Sequence, residues 1–468
     1  MLHLNIFLIS LLYSFNVIQK EDSLKVLSEA SFISIVRNYH PVVKQSDLIV
    51  ERAKAELTTA RAGFDPYAVI SNDKKTFDGK NYYDYSNASV KIPTWYGIEV
   101  KAGLEENLGN LLNPEYTTGQ SNYLGISIPL IKNLVIDKRR ATLQQAKIIK
   151  EQSQAEKLVI INDLINDAYI SYWNCVKEYE IYALYNEIIA LNQQRLQLII
   201  NTYIQGDRPA IDTVEALAQI QTLQLNRQQA WMKYIAATLD LSGFLWNGNG
   251  NPIYIDDMVI PDQVWAKNNP ASLSNPNLND LMTGAMTNHP KLKGLEYKKN
   301  TLYVEKKLKF QELLPSLDIK YNLLGKGYFQ SNFNNSVLFS NNYKYGFDFS
   351  LPLRLSKGRG EYQEAKIKIR ENEIQRMQLE LSISNKIKYY FNEILNLRKQ
   401  YDLAKNSADN YQKLLTAELT RFQIGESSMF LINSRENKYL EMKQKLIEVH
   451  TKLLLSYRSI DWATGSLR

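Results

Sequence analysis

The stretch Tyr343-Lys344-Tyr345-Gly346-Phe347-Asp348-Phe349-Ser350-Leu351 decides how the rest of the chain is read. Apolar and aromatic side chains alternate with Lys, Gly, Asp and Ser, and a period of two sends the two sets to opposite faces of a β-strand. Three further stretches repeat the pattern. Leu317, Ile319, Tyr321 and Leu323 alternate with Asp318, Lys320 and Asn322. Tyr96, Ile98, Val100, Ala102 and Leu104 alternate with Gly97, Glu99, Lys101 and Gly103, and Leu124, Ile126 and Ile128 with Gly125 and Ser127. Half-buried sheets on soluble cores look like this, and so do membrane barrels, which are apolar toward lipid and polar toward a wet lumen. Large aromatics near strand ends, charges with glycine opposite them, and segments near the roughly 9–11 residues of a tilted spanning strand favour the barrel. In that reading Glu99, Lys101, Asp318, Lys320, Lys344 and Asp348 face the lumen.

Four strands cannot close a barrel, because the smallest membrane barrels have about eight, and open edges are not tolerated in lipid. The strands must pool with copies of themselves. Three copies bring about twelve strands, within the observed range; the strand pattern alone leaves two or four copies open.

Outward from the strands, the chain repeats itself. His40-Pro41 recurs as His289-Pro290, and Pro66 as Pro315, each of these two closing a helix and opening a strand. Ile126-Ser127-Ile128-Pro129-Leu130 is echoed by Phe349-Ser350-Leu351-Pro352-Leu353, and Tyr203-Ile204-Gln205-Gly206 by Phe422-Gln423-Ile424-Gly425. Four landmarks in one order describe a duplicated helix, β-hairpin, long helix, helix unit. The first copy occupies residues 20–246, with its hairpin at about 66–130, and the second 282–468, with its hairpin at about 315–353. Residues 247–281, rich in Asn, Pro, Gly and Ser, form a linker. The first hairpin is the longer, and its surplus, near residues 73–92, reads as an accessory hairpin or a longer strand pair. Residues 105–121 and 327–342 read as outward loops.

The long helices carry neither proline nor glycine from Lys138 to Gln205 and from Glu361 to Ile424. At a rise of about 1.5 Å per residue each spans on the order of 100 Å. Leu158, Ile161, Ile165, Ala168 and Tyr172 follow the 3-4 spacing of a coiled-coil seam. Gly206 and Gly425 mark the turns to the shorter partner helices.

Composition bounds the function. The 468 residues carry 56 Lys and Arg against 49 Asp and Glu, a formal net charge of +7, with the signs interspersed. That is a solvated surface, with no nucleic-acid footprint. The single cysteine, Cys175, excludes a disulfide framework. Residues 4–18 form an apolar run too short for a comfortable membrane span and read as the core of a secretory signal over residues 1–19. No chemistry is legible. His3, His40, His289 and His450 are scattered without metal-ligand spacing, and His40 and His289 read as helix-start residues. Gly358-Arg359-Gly360 opens a helix but has Gln363 where a dinucleotide fingerprint needs its third glycine. Neither an enzyme nor a cofactor is expected.

In the duplicated unit, the Pro66 and Pro315 switches, the strand-ending Pro129-Leu130 and Pro352-Leu353 and the aromatic-x-x-Gly turns, the chain resembles the TolC-like outer-membrane factor family. The resemblance implies a mainly α fold with a membrane β-barrel portion: a homotrimeric α-barrel crossing the periplasm plus a shared 12-stranded β-barrel in outer-membrane lipid. It implies a passive conduit of a tripartite efflux or type I secretion system, partnered by a periplasmic membrane-fusion adaptor and an inner-membrane transporter. The helix tips would be the periplasmic gate and adaptor contact, carried here by Tyr203, Gly206, Asp207, Arg208, Asp212, Phe422, Gly425, Glu426 and Phe430. Where the family has an acidic pair in the second tip this chain has Ser427-Ser428-Met429-Phe430, so a gate of Tyr203, Arg208 and Phe430 competes with an acidic one. Asp212 and Glu215 also suit the first turns of a helix, complementing its dipole. The readings without a pore are a coiled-coil scaffold or adhesin and a periplasmic adaptor protein.

Overall fold

The computed structural model describes residues 25–109, 119–254, 259–261, 276–328 and 342–467. The signal expected at residues 1–19 lies outside the described residues, as do 110–118 and 329–341 of the two outward loops and most of the 247–281 linker. The chain divides into two compact units, one of residues 41–164, 276–392 and 459–468, the other of residues 1–40, 165–275 and 393–458.

In chain order the elements are β1 (Lys25–Leu27), α1 (Glu29–Tyr39), α2 (Pro41–Arg61), β2 (Tyr67–Phe77), β3 (Lys80–Pro93), β4 (Glu99–Leu108), β5 (Gly119–Pro129), α3 (Lys138–Ile204), α4 (Ala210–Ser242), β6 (Val259–Pro261), α5 (Leu278–Asn288), α6 (Pro290–Gln311), β7 (Ser316–Lys326), β8 (Tyr343–Ser350), α7 (Ser356–Gln423) and α8 (Met429–Thr464). The fold class read from the sequence stands: mostly helix, with one curled antiparallel sheet. Pro66 and Pro315 sit immediately before β2 and β7, where a residue without an N–H cannot continue a helix.

The first unit holds a six-stranded antiparallel sheet of order β2-β3-β4-β5-β7-β8. Four strands were expected. The two additional ones, β2 and β3, are the surplus of the first hairpin, folded back at Asp78-Gly79 and paired along β4 from Asp84↔Leu108 to Pro93↔Glu99. Asp78 and Gly79 have φ of 54° and 71°, the two positive values that a two-residue turn matching strand twist requires. Helix packing in this unit buries Leu57, Ala60 and Phe64 against Leu143 and Ala146, and Ala285 and Leu292 against Ile383, Ile387 and Ala463.

His289 links α5 to α6. It ends α5, and its Nδ1 accepts the Lys291 N–H at 3.1 Å to start α6. Burial, reinforced by the Lys291 charge, lowers its pKa to about 4. The cap requires neutral imidazole, and the unfolded side chain titrates near 6.5. The stabilisation is therefore full above about 6.5 and is lost as pH falls toward about 4. Melting temperatures across that window are expected to fall with acid. His289→Asn, which keeps a capping oxygen, is expected to flatten the slope, leaving the share of His450, also lowered to about 4 by burial.

In the second unit, β1 pairs in parallel with β6, and helical segments pack on a seam of Leu184, Ile188, Ile199, Ala216, Leu223, Leu415, Phe422, Met429 and Ile432. Of the five seam positions read from the sequence, Ile165, Ala168 and Tyr172 are buried, and Leu158 and Ile161 half-buried.

Candidate functional site: a two-faced sheet and paired helix tips

Residues directly opposite in neighbouring strands share a face. One row of partners crosses the sheet as Ile70, Ala88, Leu104 and Asn122, and the next as Ala68, Val90, Ala102, Leu124, Leu323 and Tyr343. Below them run Ile92, Val100, Ile126, Tyr321 and Tyr345, then Ile128, Ile319 and Phe347. Apart from Asn122, which is buried and donates to Gly327 O, this face is apolar across all six strands and largely open to solvent, with Ile70 83% and Phe347 70% exposed. At one end it turns polar, where Asn72 and Lys74 meet Ser86 and Asp84.

The other face carries the charges. Lys91, Lys101, Gly125, Asn322 and Lys344 form one row, Glu99, Ser127, Lys320 and Gly346 the next, and Asp318 lies opposite Asp348. All six residues expected on the lumen side occupy this single face. Lys320 pairs with Asp348, and Glu99 lies 3.5 Å from Lys101 and 3.7 Å from Arg139. No helix among the described residues is long and apolar enough to cross a membrane.

The two tips repeat each other bond for bond. Gly206 N–H donates to Tyr203 O and Asp207 N–H to Thr202 O; Gly425 N–H donates to Phe422 O and Glu426 N–H to Arg421 O. This Schellman pattern needs a left-handed residue at its centre, and Gly206 and Gly425 have φ of 83° and 82°.

Arg208, Asp212 and Phe422 are brought together. The Arg208 guanidinium lies 3.5 Å from the centre of the Phe422 ring, donates to Phe422 O and sits 3.3 Å from Asp212 Oδ2. Both ends of that ion pair are largely shielded from solvent. Tyr203, Asp207, Glu426 and Phe430 stay exposed, and Arg208 stacks on Phe422. Asp212 does sit in the first turn of α4, so capping and pairing coincide in one carboxylate. Exposed Ile204, Ile211, Val214, Ile424 and Phe430 give the tips an apolar outer surface.

A buried cluster near the tips was missed. Glu436, 1% exposed, accepts from Arg195 at 2.7 Å and from Asn192 at 2.8 Å, with Gln219 Nε2 at 3.5 Å. Gln219 also donates to Asn437. The available signal was polar residues at seam positions, which fix register in coiled coils. Glu418 is buried as well, bonded by Ser427 at 2.6 Å with Arg421 and Arg435 within 3.9 Å. Among the described residues no group of three or more His, Cys, Asp or Glu side chains converges as metal ligands do.

A duplicated pair of long-helix hairpins joined to a two-faced antiparallel sheet is the fold of TolC-like outer-membrane channels. Solved structures agree. The open-state MtrE outer membrane channel of Neisseria gonorrhoeae superposes with a TM-score of 0.66 at 13% identity, covering 93% of this chain and 89% of that one. The outer membrane protein VceC of Vibrio cholerae gives 0.65 at 12% identity, over 94% and 96%. The CmeC outer membrane channel of Campylobacter jejuni gives 0.62 at 15%, over 94% and 85%. The sequence matches no protein-family model and no curated protein.

Proposed function

We propose that the chain is the outer-membrane channel subunit of a three-component export assembly. Copies of it, three in this reading, close the sheet into a barrel in outer-membrane lipid, and the helical hairpins extend the conduit into the periplasm. The observation that carries this is the sheet itself: an apolar, solvent-open face spans every strand, backed by a face of Lys, Asp, Glu and Ser. A soluble protein does not leave so large an apolar surface uncovered, whereas lipid requires it. The exposed apolar tips suit docking of a periplasmic adaptor, with an inner-membrane transporter beyond, and the Arg208–Phe422–Asp212 contact suits a latch that keeps the periplasmic end narrow.

Fractionation and planar-bilayer recording test both parts. The protein is expected in the outer-membrane fraction as a heat-sensitive trimer of low conductance. Arg208→Ala removes a charge-assisted hydrogen bond and a cation–π contact, each worth on the order of 1–2 kcal/mol when shielded. It is expected to raise conductance several-fold at unchanged trimer yield. Recovery in the soluble periplasm sinks the channel, and unchanged conductance in the variant sinks the latch alone.

A further inference from the structure

Among the described residues the sheet has two edges without a partner strand, β2 and β8, since β4, an edge in a four-strand arrangement, is fully paired with β3. Edges open to lipid are forbidden, so each must find a strand. We infer that β8 of one copy pairs with β2 of the next, so that three chains close one ring of eighteen strands. This rests on the three-copy outer-membrane reading above.

Strand direction permits the closure. The six strands alternate, so β8 runs opposite to β2 and the junction is antiparallel like the other pairings. The register follows from the sheet. A straight row of partners runs from Tyr67 through Lys91, Lys101, Gly125 and Asn322 to Lys344. At the helix-joined side the strand ends step steadily away from this row. Tyr67 lies on it, Pro93 two residues beyond Lys91, Pro129 four beyond Gly125, and Ser350 six beyond Lys344. Keeping the ends level sets Ser350 opposite Tyr67 of the partner subunit.

That register satisfies two conditions not used to choose it. It places Phe347 opposite Ile70 of the partner subunit on the apolar face, and Lys344 opposite Asp73 of the partner subunit on the polar face, so both surfaces continue and opposite charges meet. It also advances the row six residues per six strands, a shear equal to the strand number. An eight-stranded barrel with shear eight tilts its strands by about 36°, and the same ratio here gives a tilt inside the roughly 35–45° of membrane barrels. Barrel diameter grows about linearly with strand number, so this ring is about half as wide again as one of twelve.

Oxidative cross-linking tests the junction. Ser71→Cys with Gly346→Cys places two thiols opposite each other on the polar face, and Gly346 has open space for a Cβ. Val69→Cys with Asp348→Cys reads the same register through different residues. Lys101→Cys with Asp348→Cys reports instead a twelve-strand closure with β4 as the edge. Native Cys175 is buried. The first two pairs are expected to give a covalent ladder ending at the trimer on non-reducing gels, and the third pair none. An outer-membrane trimer that links only through the third pair, or through none, keeps the channel and overturns the eighteen-strand ring. A ladder ending at the dimer overturns the ring too. A soluble monomer overturns the ring together with the channel reading.

Discussion

Phe347→Arg is expected to abolish assembly in the outer membrane. Phe347 stands at the centre of β8, 70% exposed, in the same row as Ile319 and Ile128. An Arg on the lipid face of a barrel strand costs roughly 2–4 kcal/mol near the bilayer midplane. A ring of three copies bears that cost three times, roughly 6–12 kcal/mol, comparable with the whole stability of an ordinary domain. Asp348→Arg, one residue along and on the charged face, is expected to assemble, losing only its exposed pair with Lys320. Heat-sensitive trimer in the outer-membrane fraction measures both. Assembly of Phe347→Arg with failure of Asp348→Arg would mean that the two faces are assigned the wrong way round.

Arg195→Ala is expected to have the largest effect in the helical hairpins. It strips the cationic partner from Glu436, leaving a carboxylate that is 1% exposed with only the amides of Asn192 and Gln219. Breaking a buried pair from one side costs roughly 3–5 kcal/mol, because the stranded charge keeps its desolvation penalty. Replacing both, as Arg195→Leu with Glu436→Leu, is expected to recover most of that, since apolar substitutes of similar volume are often neutral or stabilising. Thermal melting of the two variants separates the cases. If Arg195→Ala melts like the parent, Glu436 is not held by this pair. The recovered double variant should also lose the polar contacts that fix which residues of α3, α4 and α8 face each other.

The strand faces and the tip turns were legible because they rest on local rules, whereas strand ends were not: β4 begins at Glu99, with Tyr96 and Gly97 in the preceding turn, and β4 and β5 run to Leu108 and from Gly119, inside the expected 105–121 loop. Period two set the faces, proline stopped helices before Pro66 and Pro315, and glycine at positive φ closed both tips. Six expected lumen residues share one face for the same reason. The strand number was not legible from alternation alone. β3 runs as Asn81-Tyr82-Tyr83-Asp84-Tyr85-Ser86-Asn87, where polar and aromatic side chains fall on both faces, and β2 is similarly mixed beyond Ile70. Asp78-Gly79, two residues between those segments, was the signal that names a hairpin there. At the tips, residue types indicated charge and aromatic chemistry, but which of Phe422 and Phe430 meets Arg208 depends on packing between helices distant in sequence. Nothing local encodes that choice. The Glu436 cluster was hidden likewise, since each member looks like an ordinary solvated residue until the seam closes over it.

The Asp78-Gly79 hairpin bears on how such chains can diverge. An inserted hairpin adds strands two at a time, so it preserves the alternation of direction and the sidedness of every strand downstream. A single added strand would reverse the direction of all that follow. In a ring of three copies closed as inferred above, gaining or losing one such hairpin per chain would therefore change the strand number by six without reversing any strand downstream.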